Sequence, residues 1–312
     1  MQIRRGQYAG RHGEAGRVAA IGNFDGVHLG HQALVAAACG VAAPGQSIAV
    51  LTFEPHPREL FDPVGAPRRL MRVTDKAIAL GRLGVQELIV LQFHVGLSAM
   101  SPETFARDVL REGLGIRHLV VGEGFRYGVR RTGDVKTLRA SGAALGFAVT
   151  EVSAIGVEGE RVSSTRVRTA VASGDLTGAE RLLGRPYSLS GRVGHGQRLG
   201  RELGFPTANL RLHPRAISLS GIYAVRVRGL PGVAGAAAAV ASLGTRPTVG
   251  GVEPLLEVHV FDFSGNLYGQ RIEVEFIARL RDEERFDSLP ALVTQMHADA
   301  LRARQILAVR AA

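Results

Sequence analysis

From Arg17 to about Leu183, short apolar runs alternate with amphipathic segments, the rhythm of strands and crossover helices in a parallel sheet. Strands are predicted at Val18–Phe24, Ile48–Phe53, Glu87–Phe93, His118–Val121 and Ala148–Val152. Helical spacing predicts helices near Gln32–Cys39, Asp75–Leu83, Pro102–Leu110 and Val135–Leu145. This half reads as a doubly wound α/β domain. After Pro186 the rhythm changes to segments rich in Val, Leu and Tyr, punctuated by Gly and Pro, which predicts an antiparallel barrel. The final stretch SLPALVTQMHADALRARQIL returns to helical spacing, with Ser288 as its cap. Gly184, Arg185 and Pro186 mark the boundary, so residues 1–185 and 186–312 are expected to form two domains.

Composition agrees with this division. A chain of 312 residues, 46% apolar and 21% charged, suits about two globular domains. Lys and Arg outnumber Asp and Glu by 38 to 28, and the net charge of +10 draws anions such as nucleotides and phosphates. The excess is mostly Arg scattered through both halves without a block of like charges, so no nucleic-acid partner is expected. Cys39 is the only cysteine, which rules out an intramolecular disulfide and a cysteine-rich metal site. The start, MQIRRGQYAGRHGEAGR, lacks the apolar run of a secretory signal, and Val233–Leu243 is too short to span a bilayer. No membrane association is expected, and the cytoplasm is the expected location.

Two constellations carry chemistry. GNFDGVHLGHQ, residues 22–32, follows the first predicted strand and opens the first predicted helix. Ligands of open α/β sheets sit there, where helix-terminal N–H groups meet phosphate. Gly22, Gly26 and Gly30 let the backbone approach a ligand, and His28 and His31 share one face of a turn. Transfer of AMP to another phosphate needs no general base, because the nucleophile is already an anion. What it needs is alignment and stabilised charge on the α-phosphate and departing pyrophosphate. Two histidines near a helix start also suit plain polar surface or a weak metal pair. SSTRVR, residues 163–168, adds a helix cap and the cations Arg166 and Arg168 for phosphate oxygens.

GNFDGVHLGHQ, TFEPHPRE (52–59), VVGEGFRYG (120–128) and VSSTRVR (162–168), in this order, resemble the adenylyltransferase domain of bifunctional riboflavin kinase/FAD synthetases. The resemblance implies a Rossmann-like nucleotidyltransferase domain. In it His28 and His31 contact the ATP phosphates, with Gly22, Phe24 and Gly26 in the same loop. Ser164, Thr165 and Arg168 close over them, and Phe53, Pro55 and Pro57 form an apolar wall for the isoalloxazine ring. Gly124 departs from the family, which usually carries Asp or Asn near the reacting phosphates. Loss of such a group costs on the order of a few kcal/mol of transition-state stabilisation; neighbouring Glu123 is the one candidate to compensate.

GRVGHGQRLGRELGFPTANL, residues 191–210, packs five glycines into its first fourteen positions. Such density lets backbone amides wrap a phosphate chain, although no Walker sequence is present. Thr207 and Asn209 follow at period two, and their oxygens suit Mg²⁺. In LLEVHVFD, residues 255–262, Leu256, Val258 and Val260 share one face and Glu257 and His259 the other. A carboxylate beside a sugar-alcohol hydroxyl can accept its proton.

PTAN, SLGTRPT (242–248), LEVHVFD, LYGQ (267–270) and LRDEERFDSL (280–289) resemble the riboflavin kinase domain. That implies a six-stranded barrel with a terminal helix, Thr207 and Asn209 holding Mg²⁺–ATP, Glu257 as base, and Gly191 and Gly204 in the ATP loop. Arg281 lies near flavin or nucleotide, or else forms a surface ion pair with Asp282 or Glu284. The expected activity is ATP-dependent conversion of riboflavin to FMN, then adenylylation of FMN to FAD, with ATP, riboflavin and FMN as small-molecule partners. Two alternatives stand beside it: a kinase whose first domain is slowed or altered in substrate by Gly124, and a basic nucleic-acid-binding or flavin-sensing protein.

Overall fold

Five of the apolar runs become strands, and in the four inner ones of these neighbouring residues on both faces find buried surroundings, while the edge run Ala148–Val152 is only half-buried. In the computed structural model, which describes residues 1–6, 16–196, 200, 203–212, 219–248 and 251–309, they are β2 (Arg17–Ile21), β3 (Ser47–Glu54), β4 (Glu87–Gln92), β5 (Ile116–Gly122) and β6 (Ala148–Val152). A short strand absent from the sequence reading, β1 (Gln2–Arg5), pairs with β4 at the edge. The order β1-β4-β3-β2-β5-β6 is parallel throughout. The chain moves outward from β2 through β3 to β4, then returns to β2's other side with β5. Ligand crevices form at such reversals, beyond the carboxyl ends of the strands.

Ala19, Ile21, Ala49, Leu51, Ile89, Leu91, Leu119 and Val121 share one apolar layer with Phe105, Val109, Leu110 and Leu138. The alternate residues Val18, Ala20, Val50 and Val120 are also fully buried, and the helix Leu29–Val41 packs on β2 and β5. Each such Leu or Ile contributes about 1.5–3 kcal/mol by leaving water.

At the opposite ends of the strands, Arg17 donates to both carboxylate oxygens of Glu87 at 2.9 and 3.0 Å and to Leu114 O at 2.6 Å. Ser47 donates to the same carboxylate, and Arg4 pairs with it. Burial pushes Glu87 up, but these donors and cations outweigh it and hold the carboxyl below its ordinary value.

Two compact units result, Met1–Pro67 with Val73–Ser164, and Arg68–Arg72 with Thr165–Ala312. The first ends after a hairpin of β7 (Gly156–Val157) and β8 (Glu160–Arg161). The second contains the helices Ser164–Ala172, from Thr165 onward, and Leu176–Leu183, whose contacts are with barrel strands.

The barrel strands are β9 (Tyr187–Gly194), β10 (Ala208–Arg211), β11 (Gly221–Arg228), β12 (Ala236–Thr248), β13 (Gly251–Val260) and β14 (Arg271–Arg281). They close in the order β10-β13-β12-β11-β14-β9, every pair antiparallel, which leaves no open edge. Alternation fills the barrel: Val225, Leu256, Val258 and Val274 are fully buried. The helix Leu289–Val309 presses Ala303 and Leu307 onto Ala224, Phe261, Ile277 and Leu280 outside the barrel wall. Ser288 Oγ accepts from Ala291 N at 3.3 Å, as its capping position requires.

Two elements depart from the sequence reading by more than small shifts at their ends. The strand expected to run to Phe24 stops at Ile21, because the backbone turns left-handed at Phe24, Gly26 and Val27. The helix expected at Pro102–Leu110 starts at Pro102, capped by Ser101, but its continuation Phe105–Gly113 is a π-helix. The glycine-rich run 191–210 falls partly outside the described residues.

Candidate active sites

In the first unit, the loop after β2 is shaped by three left-handed residues, Phe24 (φ 49°), Gly26 (φ 89°) and Val27 (φ 45°). Its start is pinned by Gly22 N–H donating to Leu51 O at 3.0 Å. His28 caps the helix Leu29–Val41, its Nδ1 accepting from His31 N at 3.4 Å. The two imidazoles stack with centroids 3.7 Å apart and planes 18° from parallel, and Phe24 lies against His31 at 4.7 Å. One histidine therefore ends the loop and the other opens the helix, so they meet without both being helical.

Alternate carbonyls of this loop are each held by a side chain. Asn23 O accepts from Lys76 Nζ at 2.6 Å and Thr52 Oγ1 at 3.0 Å, Asp25 O from Ser164 Oγ at 2.8 Å, and Val27 O from Gln32 Nε2 at 3.0 Å. In a trans peptide the following N–H points the opposite way. The loop is thus a run of oriented dipoles of the kind that cradles anions.

A cavity of about 840 Å³ opens beside it. Gly22, Asn23, His28, His31 and Ser164 line its polar side, and Phe53, Pro57, Phe61, Phe93 and Phe105 its apolar side. Phe93 meets Phe53 and Phe61 edge-on at 5.7 and 6.0 Å. Pro55, after a cis bond from Glu54, is exposed. Gly124 also lines the cavity, at φ 74°, and a Cβ built there would meet nothing within 4 Å. Neighbouring Glu123 spends its Oε2 on Ala154 N at 2.9 Å. Sequence reasoning missed the cationic rim of Arg58, Arg126, Arg130, Arg131 and Arg161; scattered arginines carry no spacing signal. Burial pushes the Tyr127 hydroxyl, also on the wall, above its ordinary value.

Ser164 opens the helix Ser164–Ala172, and its hydroxyl holds the loop instead of capping the helix. Thr165, exposed, and Arg168, which donates to Arg68 O at 2.8 Å, follow on that helix and cluster with the second unit.

In the second unit a cavity of about 300 Å³ lies between the outer barrel wall and the terminal helix. Glu257 and His259 reach it from β13, Thr207 from just before β10, and Leu292, Met296 and Asp299 from the helix. Thr207 precedes the strand it was expected to occupy, but Asn209 Nδ2 still lies 3.5 Å from its Oγ1. Asn209 is the ladder partner of Glu257. Close backbone approach explains two glycines: a Cβ on Gly196 would sit 2.6 Å from the Asn209 amide, and one on Gly200 would sit 2.4 Å from Phe205 O and 3.5 Å from Thr207 Oγ1. Gly191 has a packing reason instead, since its Cβ would meet Leu210 at 3.2 Å, and Gly204 turns the chain at φ 82°.

Arg281 is paired differently from either expected acid. Its guanidinium donates to both Asp299 oxygens at 2.8–3.1 Å, while Gln295 donates to the same carboxylate. Such a fork fixes the arginine's plane beside the cavity. Glu283, not singled out by sequence, lines the same space; burial pushes its carboxyl up, against the pull of Arg281.

The donor set here fits Mg²⁺ in part. Thr207 and Asn209 bring hard neutral oxygens beside the Glu257 carboxylate, while no group of three His, Cys, Asp or Glu that could hold a metal occurs among the described residues. Mg²⁺ commonly uses one or two protein ligands and completes its shell with water and substrate phosphates.

Comparison with known proteins gives two adjoining matches. The FAD synthetase family model matches residues 11–166 and the riboflavin kinase model residues 183–307. A bifunctional riboflavin kinase/FMN adenylyltransferase of Pseudomonas fluorescens is 45% identical, with 99% of this chain and 98% of the relative covered. Proteins of that description from Haemophilus influenzae (41%, covering 97% and 98%) and Escherichia coli K12 (42%, covering 94% and 93%) are also similar. A crystal structure from Streptococcus pneumoniae, described as a macrolide-efflux protein, superposes with TM-score 0.80 at 30% identity, over 97% of this chain and 98% of that one. No helix among the described residues is long and apolar enough to cross a membrane.

Proposed function

The chain belongs to the bifunctional riboflavin kinase/FMN adenylyltransferase family, and from that premise we propose how its two cavities divide the work. The protein phosphorylates riboflavin to FMN and transfers AMP from ATP to FMN, giving FAD and pyrophosphate. The observation that carries the division is that each unit has its own cavity, one lined by His28 and His31 and the other by Thr207 and Glu257. We assign adenylylation to residues 1–185 and phosphorylation to residues 186–312.

In the barrel, Glu257 accepts the proton of the ribityl 5′-hydroxyl as that oxygen attacks the γ-phosphorus of ATP and ADP departs. Thr207 and Asn209 would hold Mg²⁺, which would neutralise charge on the triphosphate. Arg281, fixed by Asp299, borders the flavin or nucleotide, and Phe205, Ile222, Val240 and Met296 supply the apolar surface.

In the first unit, a phosphate oxygen of FMN attacks the α-phosphorus of ATP and pyrophosphate leaves. No proton needs removal, so the loop Gly22–His28 and His31 align the reactants and stabilise charge. Ser164 keeps the loop in shape, and Phe53, Pro57 and Phe93 face the isoalloxazine ring. The exposure of Pro55 favours a role in loop shape over ring contact. The partners are ATP, riboflavin and FMN, with no nucleic acid or membrane, in the cytoplasm.

Chromatography of products from riboflavin, ATP and Mg²⁺ tests this reading, with FMN expected first and FAD after it. FMN without FAD would leave only the kinase half standing.

A further inference from the structure

Lys76 is a fully charged type of side chain at 1% exposure, on the helix Val73–Arg82, with no role in the chemistry described so far. Burying an ammonium group is costly unless its hydrogen bonds are satisfied. Its Nζ donates to Asn23 O at 2.6 Å and to Thr52 Oγ1 at 3.0 Å, and Thr52 Oγ1 itself donates to Asn23 O at 3.0 Å. Two donors, one cationic, therefore converge on a single carbonyl of the loop beside the larger cavity.

That carbonyl controls the peptide leading into Phe24, the first left-handed residue of the loop. A non-glycine residue there is strained and persists only where its surroundings over-determine it. We propose that Lys76 is a positioning residue for AMP transfer: by holding Asn23 O on the core side, it keeps the Asn23–Phe24 peptide dipole turned with its N–H away from the core and sets the loop to receive a triphosphate. Thr52 is the second half of the device. The assignment rests on the reading that Gly22–His28 holds the ATP phosphates, and it deepens that reading by naming what fixes the loop from beneath.

The test is steady-state FMN adenylylation by the full-length protein carrying Lys76→Met, with riboflavin kinase activity and thermal unfolding measured on the same preparation. We expect the KM for ATP to rise about tenfold, the loss of roughly one charged hydrogen bond. The KM for FMN should stay within twofold of the parent and kinase activity should be unaltered. General loosening of the unit would raise both KM values together, and that result would overturn the assignment, as would an unchanged KM for ATP. Should Lys76→Met fail to fold, Thr52→Val removes the other donor without disturbing charge. A several-fold rise in the KM for ATP alone supports the proposal, and no change overturns it. His28→Ala separates the layers: if it retains parental FAD synthesis, the loop reading fails and takes this inference with it. If it abolishes FAD synthesis while Lys76→Met changes nothing, only the Lys76 assignment falls.

Discussion

Asn209 and Glu257 are direct partners across the β10–β13 ladder, so an amide and a carboxylate leave the same face of the barrel wall side by side. With Thr207 Oγ1 3.5 Å from that amide, the residues proposed to hold the metal and to take the proton occupy one small area. Glu257→Gln keeps the shape and removes the base. FMN formation should fall by about 100- to 10,000-fold, while FAD formation from supplied FMN continues at the parental rate; separate assays of the two steps decide it.

The Asn209 amide should matter for metal more than for flavin. Asn209→Ala is expected to raise the Mg²⁺ concentration giving half-maximal kinase activity several-fold, without moving that of adenylylation. Titration of Mg²⁺ in each assay reads this directly, and chelation of Mg²⁺ should stop both reactions.

The stacked histidines carry the opposite selectivity. His28→Ala removes the cap of the helix Leu29–Val41 as well as an imidazole, and His31→Ala removes its stacking partner. Either change should lower FAD formation from FMN by about 100-fold or more, with riboflavin phosphorylation retained.

Gly124 offers a gain-of-function test. Its left-handed φ of 74° is one that Asn adopts more readily than other side chains, and a Cβ there meets nothing within 4 Å. Gly124→Asn should therefore fold normally and raise the rate of FAD formation by roughly tenfold, if a polar group beside the phosphates supplies about 1.4 kcal/mol. Gly124→Ala adds the strain without the polar group and should bring no gain.

The Arg17–Glu87 pair predicts a pH signature. Glu87 titrates lower in the folded protein than in the unfolded chain, so its stabilisation is complete above the unfolded carboxyl value, roughly 4.3, and is lost as pH falls through the lower folded value. Glu87→Gln should destabilise the first unit by about 3–5 kcal/mol at neutral pH, because it removes the carboxylate that takes two hydrogen bonds from buried Arg17. Unfolding midpoints measured against pH should converge for parent and variant at acid pH.

Elements with both a strong period and local punctuation were legible in sequence. The helix Val135–Leu145 and strand β6 match their expected limits because Asp134 and Thr137 form a capping box and Gly146 ends the helix at φ 76°. β1 was invisible: Gln2–Arg5 holds one apolar residue, and its reason to be a strand is a distant pairing with β4. The histidine loop and the Thr207, Asn209 and Glu257 group stand out in sequence through their motifs, and the structure places His28 and His31 beside one cavity and Thr207 and Glu257 beside the other. Lys76 does not stand out, since a lysine on an amphipathic helix reads as solvated until its burial beneath another loop is seen. Arg281 shows the same limit. Local acids Asp282 and Glu284 were in view, but the partner is Asp299, a turn and a helix away.

That last contact ties the cavity of the second unit to a helix that follows all six barrel strands in the chain. Leu292, Met296 and Asp299 belong to the pocket wall, and Asp299 orients the arginine across from it. Strands β9 to β14 can close their ring without the helix Leu289–Val309, but the cavity on the outer wall stays one-sided until that helix is laid against it.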